Sequence, residues 1–321
     1  MVKRKSWPLT LAPNTLLPTQ VTMIPRTQLR AEFFLVLACL GWGINYPLMK
    51  MALQLEQGVW VLAVRFALSA IIMLPLMWLQ RRHINAGSIK IGLILGLILL
   101  PSVELMNWGL HYTSSSNAGF IFALCIIWVP VLNAYLSKTR INNQVRLSML
   151  LGVTGLAIVA QVHQLHFNFG DLLILMSSFL MAVYILVIDR YGNEYSGTVL
   201  TTIQLLVLAI GCSLVYAMAK PESHQINWSW QLLAIILASC LMSSIFGTWA
   251  QTRFQADTTP DRATLIFNLE PIFATIFAAW WLHEAVGSNI IVGGGFIFAA
   301  ILIPTLIRLL WRGKASSAPS N

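Results

Sequence analysis

Charge is what this chain has least of. Of its 321 residues only 10% are Asp, Glu, Lys or Arg, against about 25% in ordinary soluble domains, while 57% are hydrophobic. A chain composed in this way cannot cover a soluble fold with polar surface, so its solvent is lipid. Signatures of catalysis are missing as well. There is no HExxH, no GxSxG and no clustered acid pair of the kind that intramembrane hydrolysis needs, which argues against an enzyme and leaves no catalytic residue to name. No Walker motif is present, so ATP would have to come from another chain. The run Gly293-Gly294-Gly295 lacks a preceding strand and a following Gly-Lys-Ser/Thr, and reads as a small-residue helix face. The four cysteines, Cys39, Cys125, Cys212 and Cys240, lie in apolar stretches without CxxC spacing, which argues against a disulfide framework or a zinc site. His163 and His166 have ligand-like spacing but no third ligand nearby, so neither a metal nor a cofactor is expected. The formal charge is +9, yet the basic residues sit at helix ends and tails, without interleaved stacking aromatics. No nucleic-acid partner is expected.

What is present is a succession of apolar runs. A bilayer core takes about 20 apolar residues per helix. Runs of that order begin at Ala31, Gly58, Ser88, Ser114, Val145, Gly170, Gly197, Trp230, Thr259 and Gly287, separated by breakers such as Arg81-Arg82-His83 and Asn142-Asn143. The fold class predicted is an all-α membrane protein with ten transmembrane helices. Residues 1–30 are basic, interrupted by Pro8, Pro13, Pro18 and Pro25, and read as a disordered tail without a signal-peptide core; residues 310–321 read the same way. If the N-terminus is cytoplasmic, nearly all Lys and Arg outside the spans fall inside, and only Lys50 and Lys220 face outward. An odd helix count would destroy that bias. The positive-inside rule therefore predicts a multi-pass protein of the bacterial inner membrane with both termini cytoplasmic.

An internal repeat sharpens this plan. Pro130-Val131-Leu132-Asn133-Ala134 runs on to Gly152, and Pro271-Ile272-Phe273-Ala274-Thr275 runs on to Gly293 at the same separation. The match lays the fourth and fifth spans over the ninth and tenth, which implies a five-helix unit used twice, 31–162 and 170–309. With an odd number of helices per unit, the second copy enters from the opposite side. Such inverted repeats are the usual architecture of secondary transporters, with the site between the halves near the midplane.

Several motifs resemble the EamA-type members of the drug/metabolite transporter superfamily. They are Trp42-Gly43-Ile44-Asn45 followed by Lys50, Arg65-Phe66 with Ala67 and Ala70, Tyr112-Thr113, Asn117-Ala118-Gly119-Phe120-Ile121 with Val129-Pro130, and Leu269-Glu270-Pro271-Ile272-Phe273-Ala274 ending in His283-Glu284. The resemblance runs from about Ala31 to Leu309. It implies a ten-helix inverted-repeat carrier that works by alternating access on amino acids, nucleotide-like metabolites or amphiphilic cations. One departure stands out: where the family often closes the fourth helix with Gly-Glu, this chain has Ser137-Lys138-Thr139-Arg140, leaving only Glu284 of that pair of acids.

Charged groups within a bilayer cost about 2.5 to 3.5 kcal/mol at a helix centre, so each demands a partner or a wet cavity. Arg65 could grip a substrate carboxylate through its planar fork; alternatively it pairs with Glu104, binds backbone carbonyls, or snorkels to the headgroups. Glu104 follows Pro101 and precedes Asn107 and Trp108, so a weakened backbone, an acid, an amide and an aromatic lie within two turns, where a proton or an amine could be handled. Glu270, directly before Pro271, invites the same reading or a gating role. Trp42, Asn45 and Tyr46 stand just ahead of Pro47, where aromatic faces could stack on planar or cationic substrates or belong to an interface belt.

The expectation is a secondary transporter of a small metabolite, an amino acid or an amphiphilic or aromatic compound, working as an exporter. Substrate contacts fall to Arg65, Glu104, Asn107, Trp108, Trp42, Asn45 and Tyr46, and proton coupling or gating to Glu104 and Glu270. The partners expected are that substrate, the lipid bilayer and protons, and a homo-oligomer is compatible with the sequence. The alternative is a lipid or lipid-linked sugar translocase, against which counts the single Arg65 within the spans.

Overall fold

A computed structural model describes residues 26–55, 58–109, 111–113, 115–159, 168–218, 228–282 and 287–316, and all regular structure among them is helical. The helices are α1 (Arg26–Leu55), α2 (Gly58–Leu79), α3 (Ala86–Gly109), α4 (Ser115–Ala123), α5 (Cys125–Ser137), α6 (Asn143–Val159), α7 (Phe169–Tyr191), α8 (Gly197–Met218), α9 (Trp230–Ser239), α10 (Thr248–Phe254), α11 (Pro260–Phe267), α12 (Glu270–Leu282) and α13 (Ser288–Ser316). A π-helical segment, Cys240–Gly247, joins α9 to α10. Eight helical stretches are long and apolar enough to cross a membrane, and the shorter apolar helices 143–159 and 288–303 occupy the fifth and tenth positions. The chain is thus a ten-helix, multi-pass membrane protein. Helix α1 begins at Arg26, inside the segment read as a tail, and α13 continues to Ser316, past the expected tail boundary.

Backbone hydrogen bonds have no water to turn to in lipid, so an apolar chain satisfies them by coiling on itself. Proline then decides where the coils bend or break. Pro47, Pro75, Pro101 and Pro130 lie within α1, α2, α3 and α5, each removing one helical donor. The fourth span divides at Leu124 and the ninth at Asn268-Leu269, just ahead of Pro271. Broken helices at matching places in two halves are a hallmark of carrier architecture.

Packing obeys the repeat. Laying the first half on the second equates α1 with α7, α2 with α8, α3 with α9 through α10, α4–α5 with α11–α12, and α6 with α13. Helix α3 packs on α7, and its counterpart, the segment running from α9 to α10, packs on α1. Helix α5 meets α7 as α12 meets α1. The two self-symmetric contacts, α2 on α8 and α6 on α13, are both extensive. The α6–α13 crossing has no room for side chains: a Cβ on Gly155 would lie 2.6 Å from the Gly293 carbonyl oxygen. Sequence self-similarity and spatial symmetry therefore agree.

Candidate functional site

The centre of the bundle is organised by α1. Asn45 Oδ1 accepts from Arg65 Nη1 at 3.4 Å and from the Ser239 hydroxyl. Arg65 Nε donates to Ser244 Oγ at 2.7 Å. The guanidinium carbon lies 4.8 Å from the centre of the adjacent Phe66 ring, and only 9% of the residue is exposed. Arg65 therefore sits inside the protein and does not snorkel to the headgroups.

Ser239 and Ser244 both reach this centre because the helix between them is not an α-helix. Residues five apart diverge on an α-helix, whereas i→i+5 hydrogen bonding brings them back to one side. The π segment Cys240–Gly247 also turns Cys240 towards Ser69, whose hydroxyl lies 3.1 Å from the thiol and donates to the Arg65 carbonyl at 2.7 Å.

On its next residue α1 serves a second group. The Tyr46 hydroxyl lies beside the Glu270 carboxylate, which lies in the first turn of α12. That half-helix presents its N-terminal, positively polarised end to the acid. Cys39 and Cys125, both buried, lie within electrostatic reach of Glu270. Trp42, one turn earlier on α1, meets Phe267 edge-on at 5.5 Å between ring centres. Its indole nitrogen packs on Gly247, where any Cβ would overlap it.

Glu104 has a different environment. Both its carboxylate oxygens are shut away from solvent without making a hydrogen bond, and the Asn107 amide nitrogen is unpaired in the same way. The polar neighbour of Glu104 is the Cys212 thiol on α8, which also lies within reach of the Arg65 charge. Arg65 and Glu104 thus approach one thiol without bonding to each other, since Arg65 directs its hydrogen bonds to Asn45 and Ser244. Trp108 lies on the outer surface of the bundle, 52% exposed.

Towards the end of the bundle where α1 begins and α13 finishes, here the terminal end, polar side chains knit the halves together. Glu32 on α1 receives Arg262 Nε at 2.7 Å and Nη2 at 2.8 Å, and the Thr258 hydroxyl at 3.3 Å. Gln80, after α2, bonds Ser196 and, at 3.3 Å, Thr198. Deeper in, a network within the second half has the Tyr184 hydroxyl donating to Gln204 Oε1 at 2.6 Å, Gln204 Nε2 to Thr252 at 3.4 Å, and Gln255 Nε2 to the Ile185 carbonyl at 2.7 Å. All of these glutamines and threonines except Gln80, Thr198 and Thr258 are less than 4% exposed.

The structure thus brings Asn45 to Arg65 and Tyr46 to Glu270, and keeps Trp42 beside them. Asn107 shares α3 with Glu104, while Trp108 is turned away. Glu32, Ser239, Ser244, Gln204 and Tyr184 escaped sequence reasoning. An acid in the first turns of an apolar run, Glu32, was the one signal available. His163, His166, His283 and Glu284 lie outside the described residues.

Comparison with known proteins agrees with this architecture. The profile of the EamA-like transporter family matches residues 29–161 and again 168–306. An uncharacterized transporter of Archaeoglobus fulgidus is 24% identical over 279 residues, 87% of each chain. Another from that organism is 22% identical over 86% of this chain and 97% of its own, and one from Clostridium kluyveri is 20% identical over 76% and 82%. A solved structure superposes with a TM-score of 0.71 at 15% identity, covering 88% of this chain and 99% of the other.

Proposed function

Since the chain belongs to the EamA-like transporter family and is a membrane transporter of a small molecule, we propose that it exports a small metabolite, an amino acid or an aromatic amphiphile, across the bacterial inner membrane by alternating access. Both termini are cytoplasmic in this reading. The observation that carries it is the pairing of opposite, separated charges in the spans: Arg65 held open by Asn45 and Ser244, and Glu104 buried without a hydrogen bond.

A carboxylate whose oxygens are shielded from solvent with only a thiol beside them is costly, and a fixed arginine fork keeps its charge at any working pH. Substrate completes the arrangement. A carboxylate or other acceptor meets Arg65, an amine or a donor meets Glu104, and an aromatic portion lies against Trp42. Tyr46 and Glu270, at the break in the ninth span, respond to occupancy as the gate. The contacts of Glu32 with Arg262 and of Gln80 with Ser196 then part so that the terminal end opens.

The test is exchange of a pooled metabolite mixture by purified protein in liposomes, read by mass spectrometry, alongside Arg65→Gln and Glu104→Gln. A compound that moves with the wild type and fails to move with the folded variants supports the reading. Transport unchanged in both variants sinks the proposed site, and no movement under a pH gradient or a membrane potential sinks the carrier.

A further inference from the structure

Where α11 of the second half packs against α5 and α6 of the first, a small cavity of about 10 Å3 is walled by Ile126, Pro130 and Met149 together with Ser148 and Asp261. That is room for one body about the size of a water molecule. Both polar side chains in this wall carry an oxygen that is shut away from solvent and makes no hydrogen bond, Asp261 Oδ1 and Ser148 Oγ. Ser148 as a whole is only 1% exposed. A buried hydroxyl and a buried carboxylate oxygen without partners are each costly, and here the two share one cavity.

The chemistry of the wall selects the occupant. Its polar side chains offer oxygen alone, and the described residues contain no group of three His, Cys, Asp or Glu, so neither a transition metal nor calcium is suited. Asp261 contributes one negative charge. A water would meet its lone pairs and leave that charge uncompensated, whereas a small monovalent cation meets both needs. The next residue, Arg262, does not neutralise it, since its Nε and Nη2 go to Glu32. Asn133 lies beside the carboxylate and helps to position it. Pro130 has no N–H to give the Ile126 carbonyl one turn earlier, so that oxygen also lacks its helical donor, the kind of backbone group that coordinates ions in broken transporter helices. We infer that Asp261 and Ser148 form a sodium site shared between the two halves.

Its position gives the ion a consequence. Asp261 comes from the second half and Ser148 from the first, so the site is complete only while the halves meet at the terminal end. Sodium therefore favours the closed terminal end, beside the Glu32–Arg262 tie. The device is one-sided: continuing the register of the Pro130 and Pro271 segments sets Phe120 against Asp261 and Asn289 against Ser148, and Asn289 Nδ2 is already bonded to the Val159 carbonyl at 2.9 Å.

Purified full-length protein in detergent tests the site. Binding of radioactive sodium is measured by scintillation proximity, and thermal unfolding is followed in sodium chloride against N-methyl-D-glucamine chloride at equal ionic strength. The wild type binds sodium, and its unfolding midpoint rises by about 3 °C for each tenfold increase in sodium once the site fills. Asp261→Asn keeps the shape and removes the uncompensated charge, so it folds without sodium and gains nothing from it. Ser148→Ala keeps the carboxylate and binds sodium several-fold more weakly. Equal midpoints in the two salts with no sodium retained overturn the proposal and leave a buried water at the site, as does a sodium response undiminished in either variant. Both readouts are independent of transport, so they stand apart from the substrate reading above.

Discussion

At the scale of the residue, the physical question is how one arginine stays in the middle of an apolar bundle. Arg65 does so by giving its Nε to Ser244 and one terminal nitrogen to Asn45. Ser244→Ala leaves a buried donor unpaired, which costs about 1 to 3 kcal/mol; a fall in the thermal unfolding midpoint of the purified protein checks this. Arg65→Lys keeps the charge and loses the fork, so it should not rescue transport, and liposome flux should fall by about tenfold or more. Arg65, Asn45, Tyr46 and Glu270 were readable in the sequence because a polar group in an apolar run is expensive and therefore conspicuous. Ser239 and Ser244 were not, since serine is cheap in a helix and nothing in its letter reports the direction in which it points.

At the scale of the element, direction is set by helix type and by breaks. The π segment Cys240–Gly247 places Ser239 and Ser244 on one side. Deleting Met242 within it should restore α-helical register and carry Ser239 away from Asn45. Circular dichroism is expected to stay helical while flux is lost; flux at wild-type level would show that the register does not matter. The break in the ninth span was legible in Glu270-Pro271, because proline removes the donor that would continue the helix. The π segment has no such mark, and sequence periodicity alone passed over it. Helix crossings are equally specific: Gly155→Val would press a branched side chain against the Gly293 backbone, and overpacking of this kind costs about 1 to 3 kcal/mol. Thermal unfolding measures it directly.

At the scale of the whole molecule, two halves meet along a few self-symmetric contacts and are tied at the terminal end. The order of ten spans and the inverted repeat were legible from hydropathy and from the Pro130 and Pro271 segments. The ties were not, because Glu32 and Arg262, or Gln80 and Ser196, are distant in sequence and acquire meaning only when the halves close. Glu32 is 15% exposed at its side chain and Arg262 14%, so the pair is sheltered enough to matter. Glu32→Gln should loosen the terminal end. A Gln251→Cys reporter, buried beneath that end, should then react several-fold faster with a soluble maleimide.

The most direct test of alternation is to tie the halves covalently. With cysteines at Gln80 and Ser196 bridged by a cleavable bifunctional maleimide, the account predicts that exchange of the metabolite pool in liposomes stops and returns when the bridge is cut. Exchange that continues unchanged while the bridge is complete would contradict it.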